Sequence, residues 1–206
     1  VSQFLEQGLK LLYPDFEIFS EENSGKVPQG DKIIVIDPID GTQSYSRKQD
    51  SWGILVGFLE SGVITQGYVY QPTKDLLYFA QKGKGAFKVE NKVLTSLNAQ
   101  RSGSTISYSS PSRGDENEFI KSIGIDDARF MYSASLKIME IAQGRCDLYP
   151  NFQKKCSIWD LIAPEIILTE SGGKIIYETP LVYDFTKPNV DIRFCAVGPR
   201  FFDLKF

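Results

Sequence analysis

Between residues 53 and 96 the chain is a succession of short apolar runs cut by turn residues. "SWGILVGFLE" and "VITQGYVYQ" are separated by "SG", a hairpin signal, and "PTKD" turns the chain into "LLYFAQ". "KGKG" then leads to "AFKVENKVL". Runs of β-branched and aromatic residues of this length, divided by Gly, Pro and Asp, predict neighbouring antiparallel strands. A large antiparallel meander is therefore expected in the first half. A length of 206 residues suits one compact domain, or two small ones sharing an interface.

Ahead of the meander, "VSQFLEQGLKLLYP" places Val1, Phe4, Leu5, Leu11 and Leu12 at helical spacing, and Pro14 ends the run. The chain thus opens inside a helix, and an N-terminal part is expected to be missing. "FEIF" reads as a short strand, "NSGKVPQGD" as a loop and "KIIVI" as a buried strand. Beyond residue 97 the pattern alternates. "STISYSS", "RFMYSA", "CDLYP", "KIIY" and "RFCAVG" read as strands, and "ENEFIKSI", "LKIMEIAQGR" and "IWDLIAPEIILTESGG" as helices. This predicts an α+β subdomain over 1–96 and an α/β subdomain over 97–206.

"VIDPIDGTQS", following the buried strand, crowds Asp37 and Asp40 around Pro38 in what reads as a turn. Like charges this close repel, and burial adds to the cost, so something positive must offset them. The composition restricts what that can be. The chain has no histidine, which removes Ser-His-Asp and Cys-His machinery and His-ligated zinc. A metal site here must be built mainly from oxygen, which suits magnesium, calcium or manganese. The three cysteines, Cys146, Cys156 and Cys195, are odd in number and form no CxxC pair. No disulfide framework is expected, and the reading is a reducing, cytoplasmic compartment. A net charge of −3 argues against a nucleic-acid polymer as partner and leaves room for a small anionic substrate. No apolar run approaches the length of a membrane span.

Two further acidic clusters sit at the ends of expected elements. Glu21 and Glu22 alone would be solvated loop charges, and Asp160 alone would be a helix N-cap. Taken with "DPIDGT" they suggest two divalent cations sharing Asp37, with the Ile39 carbonyl as a further oxygen ligand. Gly41 and Thr42 would open a helix whose free N–H groups can hold a phosphate. Metals beside an anion-binding helix end make a phosphoryl-transfer site with metal-activated water as nucleophile.

"DPIDGT", with "EE" upstream and "WD" in "IWDLIAPEIILTESGG" downstream, resembles the inositol monophosphatase superfamily. The resemblance covers essentially the whole chain, "GYVYQPTKDLLYFAQKGKGAF" included. It implies a layered α-β-α-β-α sandwich of the inositol monophosphatase and fructose-1,6-bisphosphatase type. It also implies a magnesium-dependent, lithium-sensitive phosphomonoesterase acting on a small phosphorylated metabolite, in a superfamily where homodimers are common. Carried over by motif position, Glu21, Asp37 and the Ile39 carbonyl would bind one Mg²⁺. Asp37, Asp40 and Asp160 would bind a second, and a third, looser ion would lean on Glu21. Glu22 would support the site, Thr42 would orient the attacking water, and the Gly41 and Thr42 amides would receive the phosphate. Family members carry a Thr-x-x-Asp-like segment just ahead of the helix that opens this chain.

Within the superfamily, "SASLKIMEIAQGRCDLYPNF" most resembles the 3'(2'),5'-bisphosphate nucleotidases. It keeps Ser135, Leu136, Lys137, Ala142, Gly144, Asp147, Tyr149 and Pro150. Ser133 and Ala134 replace a Gly-Ser pair, and Asn151 replaces an arginine. The resemblance implies that Ser135 and Lys137 lie on the substrate side, with Lys137 holding a second phosphate. The implied reaction is hydrolysis of the 3'-phosphate of 3'-phosphoadenosine 5'-phosphate. The alternatives are an inositol-monophosphatase-like or histidinol-phosphatase-like enzyme ("SWGILVGF" resembles the latter), or a metal- and phosphate-binding protein without turnover. Gln43, Ser44 and Tyr45 depart from the family's usual continuation of "DGT". Pro164 is expected near a helix start, where a missing N–H is tolerated.

Overall fold

The computed structural model describes residues 1–100, 106–109, 114–125, 127–153 and 156–205. The opening helix α1 (Ser2–Leu12) leads to β1 (Glu17–Ser20), one turn of tight helix at Glu21–Asn23, and β2 (Lys32–Asp40). A short helix α2 (Thr42–Ser46) precedes five strands, β3 (Gly53–Glu60), β4 (Val63–Gln71), β5 (Leu76–Gln81), β6 (Gly85–Glu90) and β7 (Val93–Ser96). The seven strands form one sheet in chain order. Only β1 and β2 run parallel; every later neighbour is antiparallel. The expected meander is present. Ser61 and Gly62, both at positive φ, make the "SG" hairpin between β3 and β4.

The second half contributes β8 (Ile106–Ser109), α3 (Gly114–Ser122), β9 (Asp127–Phe130), α4 (Ala134–Ala142) and β10 (Leu148–Asn151). It continues through β11 (Cys156–Ser157), α5 (Ile158–Glu170), β12 (Lys174–Tyr177), β13 (Asn189–Val190) and β14 (Phe194–Val197). A five-stranded sheet has the order β12-β14-β10-β8-β9, and β11 pairs with β13. Of the strand expected over 104–110, residues 104, 105 and 110 lie outside the described residues.

The layering follows from period-two alternation along single strands. Ile34 and Ile36 of β2 face Leu5 and Leu9 of α1, while Ile33 and Val35 face the core that holds α4 and α5. In β14, Phe194 and Ala196 join that same central core. Cys195 and Val197 point the other way, to Ile120 of α3. The result is α1, the large sheet, α4 with α5, the small sheet and α3, an α-β-α-β-α sandwich.

Helix α5 lies close on the large sheet because β3 and β4 present a glycine pair there. Gly57 and Gly67 are register partners. A Cβ at Gly57 would fall 2.4 Å from Ile162 Cγ2, and one at Gly67 would fall 2.6 Å from the Ala163 carbonyl. Pro164 differs from expectation. The helix begins at Ile158, so Pro164 sits in its second turn. There its ring nitrogen has no hydrogen to offer the Asp160 carbonyl four residues back.

Candidate metal centre and active-site cleft

Strand β2 does not stop before the acidic motif; it runs through it. Asp37 pairs with Leu55 and Asp40 with Gly53, so three steps on β2 oppose two on β3. The motif is therefore a one-residue bulge in a strand, where a proline without an N–H is tolerated, and not a turn beyond one. The bulge matters for the site. On a regular strand, residues three apart face opposite sides of the sheet. The extra residue resets that parity and brings Asp37 and Asp40 to the same side, the side facing α4 and α5.

Asp160 arrives from α5. Ser157 is the N-cap and Asp160 the third helical residue, so the simple N-cap reading of Asp160 is corrected. Its Oδ2 accepts the Ser157 N–H at 2.6 Å, the reciprocal half of a capping box. Asp37 Oδ1 accepts the Ile39 N–H at 2.8 Å. Asp40 Oδ2 accepts the Ser135 N–H at 3.0 Å and both the Ser133 and Ser135 hydroxyls. Each carboxylate thus has an oxygen anchored by a protein donor, and Asp160 also interacts with the Asp37 carboxyl and the Cys156 thiol. Carboxylate oxygens of Asp37, Asp40 and Asp160 converge to within 4.8 Å of one another.

Three carboxylates at this separation are not comfortable. Burial, then the charges of Asp40, Asp160 and Glu21, push the Asp37 carboxyl far above the ordinary range, against the pull of the Ile39 N–H. Burial and the Asp40 charge push Asp160 upward as well. The cluster is stable in its ionised form only with positive charge among the oxygens. An all-oxygen donor set without histidine fits a hard divalent cation. The residues present therefore fit the magnesium that the sequence pattern implies.

The carboxylates lie at one side of a cleft of about 360 Å³ that Glu21, Ile39, Gly41 and Thr42 also line. Glu21 reaches it because β1 and β2 run parallel and in register, Ser20 beside Ile36. Gly41, at φ 85°, is the N-cap of α2. A Cβ there would lie 2.8 Å from the Ser51 carbonyl, so only glycine makes this corner. The helix that follows is five residues long, so its amides rather than a macrodipole are what it can offer an anion.

Three expected site residues do not line the cleft. Glu22 lines a separate cavity with Glu6, Lys10, Glu17 and Lys26, on the opposite side of the short turn from Glu21. Ser135 is fully buried and spends its hydroxyl and its N–H on Asp40. Lys137 is also fully buried, with its Nζ 4.3 Å from the centre of the Tyr149 ring. Its ammonium sits behind Tyr149, which does line the cleft.

Ser133 also belongs to the site, through its hydroxyl on Asp40. A serine just before an apolar helical run is an N-cap signal, and Ser133 Oγ does accept the Leu136 N–H at 3.1 Å. Tyr132 and Trp159, which also line the cleft, flank Ser133 and Asp160 in sequence but carried no signal of their own.

A profile of the inositol monophosphatase family matches residues 1–190. The chain belongs to this family. It is 29% identical to the Nus factor SuhB of Xylella fastidiosa over 175 residues, covering 81% of the chain and 62% of that protein. It is 28% identical to the 3'(2'),5'-bisphosphate nucleotidase CysQ of Salmonella typhimurium over 174 residues, covering 82% and 70%. It is 30% identical to the fructose-1,6-bisphosphatase/inositol-1-monophosphatase of Thermotoga maritima over 172 residues, covering 81% and 64%. The chain thus spans about two thirds of the length of these relatives. Among solved structures, a staphylococcal IMPase-II superposes with TM-score 0.78 at 24% identity, over 96% of this chain and 75% of that one. Mycobacterium tuberculosis SuhB superposes with TM-score 0.75 at 22% identity, over 98% and 78%. At these identities the superpositions show the fold. Among the described residues no helix is long and apolar enough to cross a membrane.

Proposed function

We propose that this chain is a magnesium-dependent phosphomonoesterase acting on a small phosphorylated metabolite. The observation that carries the reading is the convergence of three carboxylates within 4.8 Å, each anchored by a protein donor. Glu21, Asp37, Asp40, Asp160 and the Ile39 carbonyl would hold two Mg²⁺, with Glu21 also facing a third. Bound Mg²⁺ supplies Lewis-acid activation of the phosphate and of a water nucleophile. The chain's own groups do the rest. Gly41 and Thr42 line the cleft, where their amides would donate to phosphate oxygens and the Thr42 hydroxyl would orient water. Ser133, Ser135 and Ser157 fix the carboxylates, so that little reorganisation is left when charge develops.

On substrate, two readings have support. The CysQ relatives, at 27–30% identity, favour a 3',5'-bisphosphate nucleotide. The interior place of Lys137 and the neutral Asn151 favour a monophosphate of a polyol or nucleoside, because the described lining of the cleft holds no lysine or arginine. Magnesium-dependent phosphate release from a bisphosphate nucleotide, an inositol phosphate and histidinol phosphate tests the function and ranks the substrates. Asp37→Asn and Asp160→Asn should each remove nearly all turnover and retain the fold. Near-normal activity in either variant, or no release by the parent chain from any of these esters, would count against the reading.

A further inference from the structure

Two cations among the described residues contact aromatic rings of the cleft lining. Lys137 does so from the interior, sealed behind Tyr149. Arg47 does so from solvent: its guanidinium lies 5.0 Å from the centre of the Tyr132 ring, and its Nη1 donates to the Tyr132 hydroxyl. We infer that Arg47, held by Tyr132 at the rim of the cleft, forms a subsite for a second anionic group on the substrate, a phosphate or a carboxylate on its non-reacting part. The inference rests on the phosphomonoesterase reading above and specifies the substrate class for it.

Three features of the structure support this. First, Arg47 closes α2, the helix that begins at Thr42, and its N–H bonds the Gln43 carbonyl one turn back. Gln43 lines the cleft, and residues four apart share a helix face, so Arg47 continues the cleft wall outward. Second, Gln43 of the cleft wall and Arg47 are four residues apart, about 6 Å along a helix. That is the scale of a sugar ring carrying an anionic group at either end. Third, the described lining has a surplus of carboxylates, with Glu21, Asp37, Asp40 and Asp160 on one side. Metal ions meet the reacting phosphate, but a second anion on the same molecule would need its own counter-charge. A guanidinium carries five N–H donors in a planar fork, and the bond to Tyr132 engages one. The tyrosine thus pre-orients the fork and leaves its other edges for a ligand.

The second-anion role that the resemblance gives to Lys137 passes here to Arg47. Lys137 supports Tyr149 from the interior, and the second anion is met from solvent by a cation on the other half of the molecule.

The test compares a nucleoside 3',5'-bisphosphate with the matching nucleoside 3'-monophosphate, using the parent chain, Arg47→Gln and Arg47→Lys. In Arg47→Gln the ratio of kcat/KM for bisphosphate over monophosphate should fall about 10- to 100-fold, mainly through KM for the bisphosphate. Arg47→Lys should recover part of the ratio, because the charge returns without the fork. Calorimetric Kd values for the same two ligands, with Ca²⁺ in place of Mg²⁺, read the preference without turnover and should show the same loss. An unchanged ratio, or equal losses on both ligands, overturns the inference. A parent chain that hydrolyses and binds only the monophosphate also overturns it while leaving the phosphomonoesterase reading intact. Failure to release phosphate from either ligand, with Arg47-dependent binding of the bisphosphate, would instead sustain the subsite and sink the enzymatic reading.

Discussion

Ser133 Oγ donates a hydrogen bond to Asp40 Oδ2 across 93 residues of sequence, and the same oxygen atom of Ser133 accepts the Leu136 N–H that starts α4. One hydroxyl therefore caps a helix in the second half of the chain and holds a proposed metal ligand from the first. Where the related nucleotidase pattern has glycine, this chain has a side chain that joins the two.

Ser133→Ala should lose both functions together. The cap contributes about 1 kcal/mol, and a second hydrogen bond in a buried site adds to it. Groups that orient a metal ligand cost about 10-fold or more in affinity when removed. Denaturant unfolding of the metal-free protein should show the stability loss, and Mg²⁺ titration calorimetry the affinity loss. Ser133→Thr keeps the hydroxyl and should recover both. Unchanged Mg²⁺ affinity in Ser133→Ala would show that Asp40 is held adequately by Ser135 alone.

The metal-free protein should lose stability as pH rises from the ordinary Asp range near pH 4. Burial and the charges of Asp40, Asp160 and Glu21 raise the Asp37 carboxyl, and burial and the Asp40 charge raise that of Asp160, so the folded state binds protons that the unfolded chain has released. With a folded pKa above the unfolded one, the fold is favoured at low pH and penalised as pH climbs toward the folded value. Saturating Mg²⁺ should flatten this slope by binding the ionised cluster. Thermal unfolding across pH 4 to 8, with and without Mg²⁺, measures it. A metal-free midpoint that rises with pH, after allowance for the remaining groups, would contradict the crowding argument.

Gly67→Ala should act at a distance on the metal centre. The new methyl would meet the Ala163 backbone at 2.6 Å, and backbone cannot rotate aside. Overpacking of this kind costs about 1–3 kcal/mol. Because the same helix carries Asp160, Mg²⁺ affinity should fall along with the unfolding midpoint. A stable variant with full affinity would show that α5 has slack against the sheet.

Lys137→Ala should lower activity on monophosphate and bisphosphate substrates by similar factors. The side chain is fully buried against Tyr149, so its removal opens a cavity under the cleft wall instead of deleting a substrate contact. Initial-rate kinetics on both substrates decide the matter. A loss confined to the bisphosphate would restore Lys137 as a direct phosphate ligand.

The fold was largely legible in the sequence because its strands obey simple alternation. β2 through β7 are bounded by turn residues at every step, and Ile33 to Ile36 alternate faces as period two requires. Less legible was anything that depends on a break in the period. The bulge between Asp37 and Asp40 looks like a turn in sequence, since Pro and Gly mark both. Only the family resemblance gave Glu21 and Glu22 different roles, because a single turn of tight helix decides which one lines the cleft. Lys137 lies in the interior for a different reason. Leu136, Ile138, Met139, Ile141 and Ala142 bury α4 on nearly all sides, and a lysine within such a run is carried inside with them. A helix that is apolar all round is itself a readable signal.

The order in which the site's parts occur along the chain bears on how it is made. Glu21, Asp37 and Asp40 leave the ribosome first, Ser133 and Ser135 follow more than ninety residues after Asp40, and Asp160 comes last. Synthesis proceeds from the N-terminus, so the large sheet can form while its acidic edge still lacks the helices that complete it. A divalent ion then has little to grip on the nascent sheet, and its binding energy becomes available only once α5 has docked. The ion would act as a lock on the finished fold, slowing unfolding with little influence on how quickly the sheet is first assembled.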